Sequence, residues 1–169
     1  MNVHLVRLDP YDPNLGLLVP IVGKRIMAYA QEHQKELDPV AVAQSVMVPL
    51  YSRDPFTLVL AMVSPEGTVV GHAVGAINTD GSRHSLTITQ TQADGAVGDA
   101  VLRALDYAKE WVQKGVNPLL ASRGLNPVSK MVLVTGKNAK AWETDYGFKL
   151  ERRVLTLALN TGEEGSDSA

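Results

Sequence analysis

Near the start of the chain, hydrophobic and polar residues first alternate and then recur at helical spacing. The alternation over residues 3–8 predicts a strand, which the two Asp-Pro pairs that follow it would end. Apolar residues then recur with a period near 3.6 over residues 15–30, which predicts a helix. Asn14 is its predicted N-cap, and Pro20 is tolerated because it lies close to the helix start.

A second helix is predicted from Pro39, because Asp38 is a suitable N-cap and proline is favoured at the first helical position. Its predicted buried stripe is Ala43, Val46, Met47 and Leu50. Period-two alternation then predicts three consecutive antiparallel strands at residues 56–63, 68–77 and 84–92, joined by polar turns.

The hydrophobic period returns to 3.6 in the second half of the chain. One face of a long helix is predicted to carry Val97, Val101, Ala104, Leu105, Ala108 and Val112. Gly115 would end this helix and Pro118 would prevent it from resuming, so residues 117–129 are predicted to form a loop. A buried strand at 131–134, a helix of about two turns from Asn138 and a last strand at 148–159 follow.

These elements predict one α/β (α+β) domain over residues 1–159, in the order β-α-α-β-β-β-α-β-α-β, with a polar tail at 160–169. A strand, helix and strand that share a sheet run parallel with a right-handed crossover, so strands 84–92 and 131–135 are predicted to be parallel neighbours. The binding site is expected at the carboxyl ends of these strands, where the long helix begins.

Composition narrows the functional classes. The 169 residues have a net charge of −2 and contain no cysteine, which excludes a disulfide scaffold, a thiolate metal site and a cysteine nucleophile. Such a near-neutral chain has no basic face for nucleic acid, and its four histidines lack metal-ligand spacing, so neither partner is expected. The longest early apolar stretch, residues 15–22, is too short to span a bilayer, so we expect a cytoplasmic protein without membrane contact.

Residues 91–102 are the segment that says most about a possible binding site. A strand is predicted to run through a glycine-containing turn directly into a helix, which aims backbone N–H groups and the positive end of the helix dipole at one point. This geometry suits a phosphate or pyrophosphate, although the spacing of a P-loop or a dinucleotide fingerprint is absent. The alternative is that Gly95 and Gly98 only let the helix pack closely on the sheet.

Two segments, together with the order of elements, resemble the GNAT superfamily of acyl-CoA N-acyltransferases. Residues 93–102 are similar to the pyrophosphate segment of that family, and residues 138–148, from Asn138 to Gly147-Phe148, are similar to the stretch that precedes its last strands. The resemblance covers roughly residues 3–159. It implies a mixed, mostly antiparallel twisted sheet of about six strands with helices on both faces. The compact second segment also resembles GNAT-like proteins encoded by tailed bacteriophages.

The resemblance implies that acetyl-CoA lies between the fourth and fifth strands, which splay apart, and that an amine of a small molecule or peptide attacks its acetyl group. By position, Asn138 would lie beside the thioester. The main-chain contacts to the cofactor would come from Thr91, Gln92, Gly95, Ala96, Val97, Gly98 and Asp99.

The sequence departs from the family pattern at several positions. Ala93 replaces the usual Gln or Arg, and the acids Asp94 and Asp99 flank the place of the anion and oppose its binding. The fourth strand carries no acid that could act as base, which leaves His84 at its start. Glu143 occupies the usual place of the tyrosine acid, and Tyr146 is shifted to the position before Gly147.

Two functions from different classes remain open at the level of sequence. One is an acetyl-CoA-dependent N-acetyltransferase, with His84, Glu143 and Tyr146 as candidate catalytic residues. The other is a GNAT-like fold that has lost catalysis and serves as a structural or interaction protein, for example in a tailed-phage particle, which would place it in the virion. His72, on a predicted strand, is interpreted as a hydrogen-bonded interior or rim residue rather than a base.

Overall fold

A five-stranded sheet forms the centre of the computed structural model, which describes residues 2–95, 99–134 and 148. Its strands lie in sequence order: β1 (His4–Arg7), β2 (Thr57–Val63), β3 (Val69–Asp80), β4 (Arg83–Ala93) and β5 (Val128–Leu133). The first three pairings are antiparallel and β4 pairs with β5 in parallel, as the crossover rule predicts.

Helices cover both faces of this sheet. On one face, α1 (Leu18–His33) and α2 (Pro39–Tyr51) bury a shared cluster against Val59 and Ala61 of β2. The intervening residues of β2, Leu58, Leu60 and Met62, point to the opposite face and are also fully buried. There α3 (Ala100–Trp111) packs on β2, β3 and β4 through a stripe that includes Ala104, Leu105 and Ala108. The mixed, mostly antiparallel fold predicted from the sequence is thus confirmed, with five strands described rather than about six.

The start of α1 differs from the prediction. The helix begins at Leu18, and Asn14 is not its N-cap, because the main-chain N–H of Asn14 binds the side chain of Asp12 in a preceding turn. Side-chain turns of this kind compete with helix nucleation. The start of α2 is as predicted, since the carboxylate of Asp38 accepts a hydrogen bond of 3.0 Å from the Val40 N–H.

The predicted loop after α3 is wrong for most of its length. The chain continues from α3 through a π-turn (Val112–Val116) into α4 (Asn117–Ser122). Pro118 lies in the first turn of α4, where a missing N–H costs nothing, so it starts a helix rather than preventing one. The Asn117 side chain then accepts a 2.9 Å hydrogen bond from the N–H of Val128 and ties α4 to β5.

The described elements all belong to one compact unit, Met1–Asn138. The helix predicted from Asn138, nearly all of the strand predicted at 148–159 and the polar tail fall outside the described residues. No helix within the described ranges is long and apolar enough to cross a membrane.

Candidate active site

The site begins where β4 leaves β5. The parallel pairing of these strands ends at Ile88 and Leu133, followed by one more hydrogen bond from the Val134 N–H to the Ile88 carbonyl. Residues 89–93 of β4, about 16 Å of strand, then continue without a β5 partner among residues 2–95 and 99–134. This free edge lies in the region where the resemblance implies that the two strands splay apart.

A β-bulge marks the same point of β4. Opposite β3, Gln90 pairs with Val74 and Ile88 pairs with Gly75, so Thr89 is an extra residue without a cross-strand partner. A bulge bends its strand and is common beside active sites. The bend therefore coincides with the last rung of the β4–β5 pairing.

Thr91 is the β4 residue whose main-chain N–H and carbonyl are best placed to bind a ligand along the free edge. The Asp94 N–H donates to the Val70 carbonyl at 2.8 Å, and bonded pairs alternate in an antiparallel ladder, so Gln92 also directs its main chain toward β3. The N–H and carbonyl of Thr91 therefore point away from β3. The hydroxyl of Thr91 is buried on the α3 side of the sheet and has no hydrogen-bond partner in the described part of the chain.

The turn between β4 and α3 is open at Gly95. This residue has a φ of +44°, which favours glycine, and a Cβ there would meet no atom within 4 Å. Asp99 is exposed and immediately precedes α3, without capping the helix through its side chain. The predicted contacts at Ala96, Val97 and Gly98 lie outside the described residues.

The charge of Asp94 is balanced by a residue that the sequence analysis did not single out. The guanidinium of Arg25, on α1, binds the Asp94 carboxylate at 2.5 Å. The Arg25 side chain is 22% exposed and its Nε is buried without a described partner. One of the two acids expected to oppose an anion is therefore neutralised. A basic residue on a predicted amphipathic helix gave too weak a signal to reveal this pair.

Beneath α1, His72 of β3 forms a buried contact with β4. It is completely buried, and its Nε2 lies 2.9 Å from the side-chain oxygen of Gln90. Burial lowers the pKa of His72 to about 4, and the charge of Arg25 acts in the same direction, whereas the hydrogen bond to Gln90 and the charge of Asp94 oppose the shift. The interpretation of His72 as an interior, hydrogen-bonded residue is confirmed.

Of the three predicted catalytic residues, the described part of the chain contains His84 alone. His84 lies at the amino end of β4, about 16 Å along the strand from Thr89, where its Nδ1 is 2.9 Å from the Thr79 hydroxyl. Glu143 and Tyr146, like Asn138, lie outside the described residues. Within the described ranges, no group of three or more His, Asp or Glu residues is placed to hold a metal ion.

The mixed sheet with its parallel β4–β5 pair, and α3 following the turn after β4, has a GNAT-like fold. Solved acetyltransferase structures share this architecture with the chain. No protein-family model matches the chain, and no curated protein sequence matches it either.

Three solved structures illustrate the similarity. A possible acetyltransferase from Clostridium difficile 630 is 11% identical with a TM-score of 0.62, and the match covers 94% of this chain and 99% of that one. A ribosomal-protein-alanine N-acetyltransferase from Brucella melitensis biovar Abortus 2308 is 14% identical with a TM-score of 0.61, over 94% and 100%. An aminoglycoside acetyltransferase from an uncultured soil metagenomic sample is 14% identical with a TM-score of 0.56, over 94% and 98%.

Proposed function

We propose that this protein is an N-acetyltransferase that moves an acetyl group from acetyl-CoA to an amine of a small molecule or peptide. The observation that carries the proposal is the free edge of β4 beyond Ile88, which leads directly into an open turn and α3. The same fold occurs in structures described as aminoglycoside and ribosomal-protein-alanine acetyltransferases, which supports an amine as the acceptor class.

The residues around the free edge fit acetyl-CoA. The main-chain N–H and carbonyl of Thr91 point away from β3 and would be available to the amides of pantetheine, and its buried hydroxyl has no partner among the described residues. The turn at Gly95 suits a diphosphate, because a Cβ there would meet no atom within 4 Å, α3 begins shortly after it and Arg25 neutralises Asp94. In this proposal Gln92, Ala96, Val97, Gly98 and Asp99 complete the cofactor site, with Asn138 beside the thioester.

When bound, acetyl-CoA supplies an activated acetyl group. The chain contributes position and orientation, which account for much of the rate in such reactions. It also has to accept a proton from the amine and return one to the leaving thiolate. His84, Glu143 and Tyr146 are the proposed candidates for these proton transfers.

A second function is favoured by one specific observation. β4 carries no Asp or Glu, and the histidine nearest its free end, His72, is buried and neutral. A GNAT-like fold without a base suits an inactive structural or interaction protein, for example a component of a tailed-phage particle, located in the virion rather than the cytoplasm.

Calorimetric titration with acetyl-CoA, followed by a free-thiol assay with an aminoglycoside and with a peptide bearing an N-terminal alanine, separates these functions. Micromolar binding and thiol release with one of the amines support the enzyme. Gly98→Val should weaken binding, because its side chain blocks close approach of the backbone to the diphosphate. Ala121→Val, at an exposed position of α4, is the matched control.

No binding at millimolar acetyl-CoA would contradict the enzyme proposal. If such a protein also assembles into a larger particle, the structural function is supported. Binding without thiol release from either amine would point to a different acceptor within the same reaction class.

A further inference from the structure

The bulge of β4 is held from outside the sheet. The Thr89 carbonyl accepts a hydrogen bond from the side-chain amide of Gln34, the residue that follows α1, at a long distance of 3.4 Å. The preceding carbonyl, that of Ile88, accepts a hydrogen bond of 2.9 Å from the Val134 N–H. At the bulge, therefore, one β4 carbonyl accepts a hydrogen bond from the chain that follows β5, and the next accepts one from the Gln34 side chain just after α1.

Gln90 links this contact to the interior. Its side-chain Nε2 donates to the Ile26 carbonyl at 3.3 Å and to the Gln34 Oε1 at 3.0 Å. A main-chain carbonyl accepts and never donates, so the amide nitrogen of Gln90 has to face Ile26. The Oε1 of Gln90 must then face His72, which fixes the orientation of the amide.

The orientation of Gln90 also fixes the tautomer of His72. Since Gln90 offers an oxygen at 2.9 Å, the Nε2 of His72 carries the proton and donates it. Its Nδ1 is an unprotonated nitrogen, buried and without a partner among the described residues. His72 is 0% exposed and Gln90 is 1% exposed, so water does not compete for these bonds.

We infer that Gln34, Gln90 and His72 form a positioning clamp that fixes the Thr89 bulge and thereby directs the main chain of Thr91 to acetyl-CoA. The inference rests on the proposed function. These are positioning residues, because His72 and Gln90 are buried and reach the cofactor only through the strand. Loss of the clamp leaves buried polar groups unpaired, which the bulge relieves by shifting.

The experiment compares Gln90→Met, His72→Leu and His72→Gln. Methionine and leucine remove the hydrogen-bonding groups, whereas glutamine at position 72 can still donate to Gln90 Oε1. Gln90→Met and His72→Leu should raise the calorimetric Kd for CoA about tenfold or more, and His72→Gln should stay within about threefold of the wild type. Hydrogen exchange without ligand should quicken in residues 88–93 of the first two variants only.

Val46→Ala is the matched control, because it opens a cavity under α2 and lowers stability without touching the clamp. Its Kd and its exchange in β4 should equal those of the wild type at a temperature where every variant is folded. Wild-type Kd values in Gln90→Met and His72→Leu would overturn the clamp. If the wild type binds no CoA, the proposed function fails, and unchanged exchange in residues 88–93 would then overturn the clamp independently.

Discussion

Arg25 changes the electrostatics of the turn after β4. Its ion pair with Asp94 joins two residues 69 positions apart, and the carboxylate is half exposed. An ion pair this exposed contributes little to stability. Its importance would instead lie in the field that an anionic cofactor meets at the turn.

We predict a fixed order of CoA affinities when the pair is dismantled. Arg25→Gln leaves the Asp94 carboxylate uncompensated, so CoA binding should weaken about tenfold, as expected for one charge several ångströms away. Asp94→Asn should bind more tightly than the wild type, and the double variant should resemble the wild type because both have the same net charge. Calorimetry at low ionic strength measures this order, and added salt should compress it.

Unfolding free energies provide the control, since all three variants should be nearly as stable as the wild type. Equal CoA affinity in Arg25→Gln and the wild type would show that the cofactor does not sense this charge.

His72 predicts a loss of stability in mild acid. Its pKa is about 4 in the folded protein and near 6.5 in the unfolded chain, so both states are neutral above pH 6.5 and its full contribution is present there. As the pH falls toward 4, the unfolded chain binds a proton that the folded protein resists, and about 3 kcal/mol of stability is lost. Urea unfolding at intervals from pH 7 to pH 4.5 measures this decline.

His72→Gln has no titrating group at this position, so its stability should fall less steeply over the same window. The difference between the two curves isolates His72 from every other titrating residue. Parallel curves would show that the buried ring does not control acid stability.

At the scale of single elements, α2 depends on a local signal. Asp38→Ala removes the hydrogen bond to the Val40 N–H and should lower the free energy of unfolding by about 1 kcal/mol. Glu36→Ala removes the same charge from an exposed position before the helix and should have a smaller effect. Urea denaturation compares the two, and equal losses would mean that charge, rather than capping, stabilises the helix start.

Elements set by local chemistry could be predicted from the sequence, and those set by tertiary contacts could not. An Asp-Pro pair suffices to start α2, whereas the order of α3, π-turn and α4 depends on packing that overrides the usual effects of Gly115 and Pro118. The helix-ending effects of glycine and proline describe isolated helices, in which no tertiary packing opposes them. Here α3 packs on the sheet and α4 is tied to β5 by the Asn117–Val128 hydrogen bond, so tertiary contacts fix the chain on both sides of the π-turn.

At the scale of the whole molecule, the pattern of periods and the crossover rule were enough for the antiparallel run β2-β3-β4 and for the parallel β4–β5 pair, but not for the place of β1 beside β2. The site was predictable only in part. Thr91 and Gly95 lie on a contiguous segment, so the resemblance could locate them. Contacts such as those of Gln90 with Ile26 and Gln34 depend on how α1 lies across the sheet, which no local pattern records.

One signal for these contacts was nevertheless present. Along the sequence Gln90 follows Leu86 and Ile88 at two-residue spacing, which predicts a buried polar side chain, although the Thr89 bulge turns Gln90 to the α1 face and leaves Leu86 and Ile88 on the α3 face. A buried amide requires partners, so it indicated a hydrogen-bonded network beneath a helix. It did not indicate the bulge at Thr89, because an extra residue in a strand depends on the partner strand as well.

The π-turn at Val112–Val116 also sets the angular phase of everything that follows it. Each residue of an α-helix advances the chain by about 100° around the axis. If residues 112–116 formed regular α-helix with no change in length, the residue that the π-turn absorbs would rotate Asn117 about 100° further around the helix axis. Its side chain would swing away from Val128, so the fifth strand would lose its anchor at the point where the crossover delivers it to the sheet.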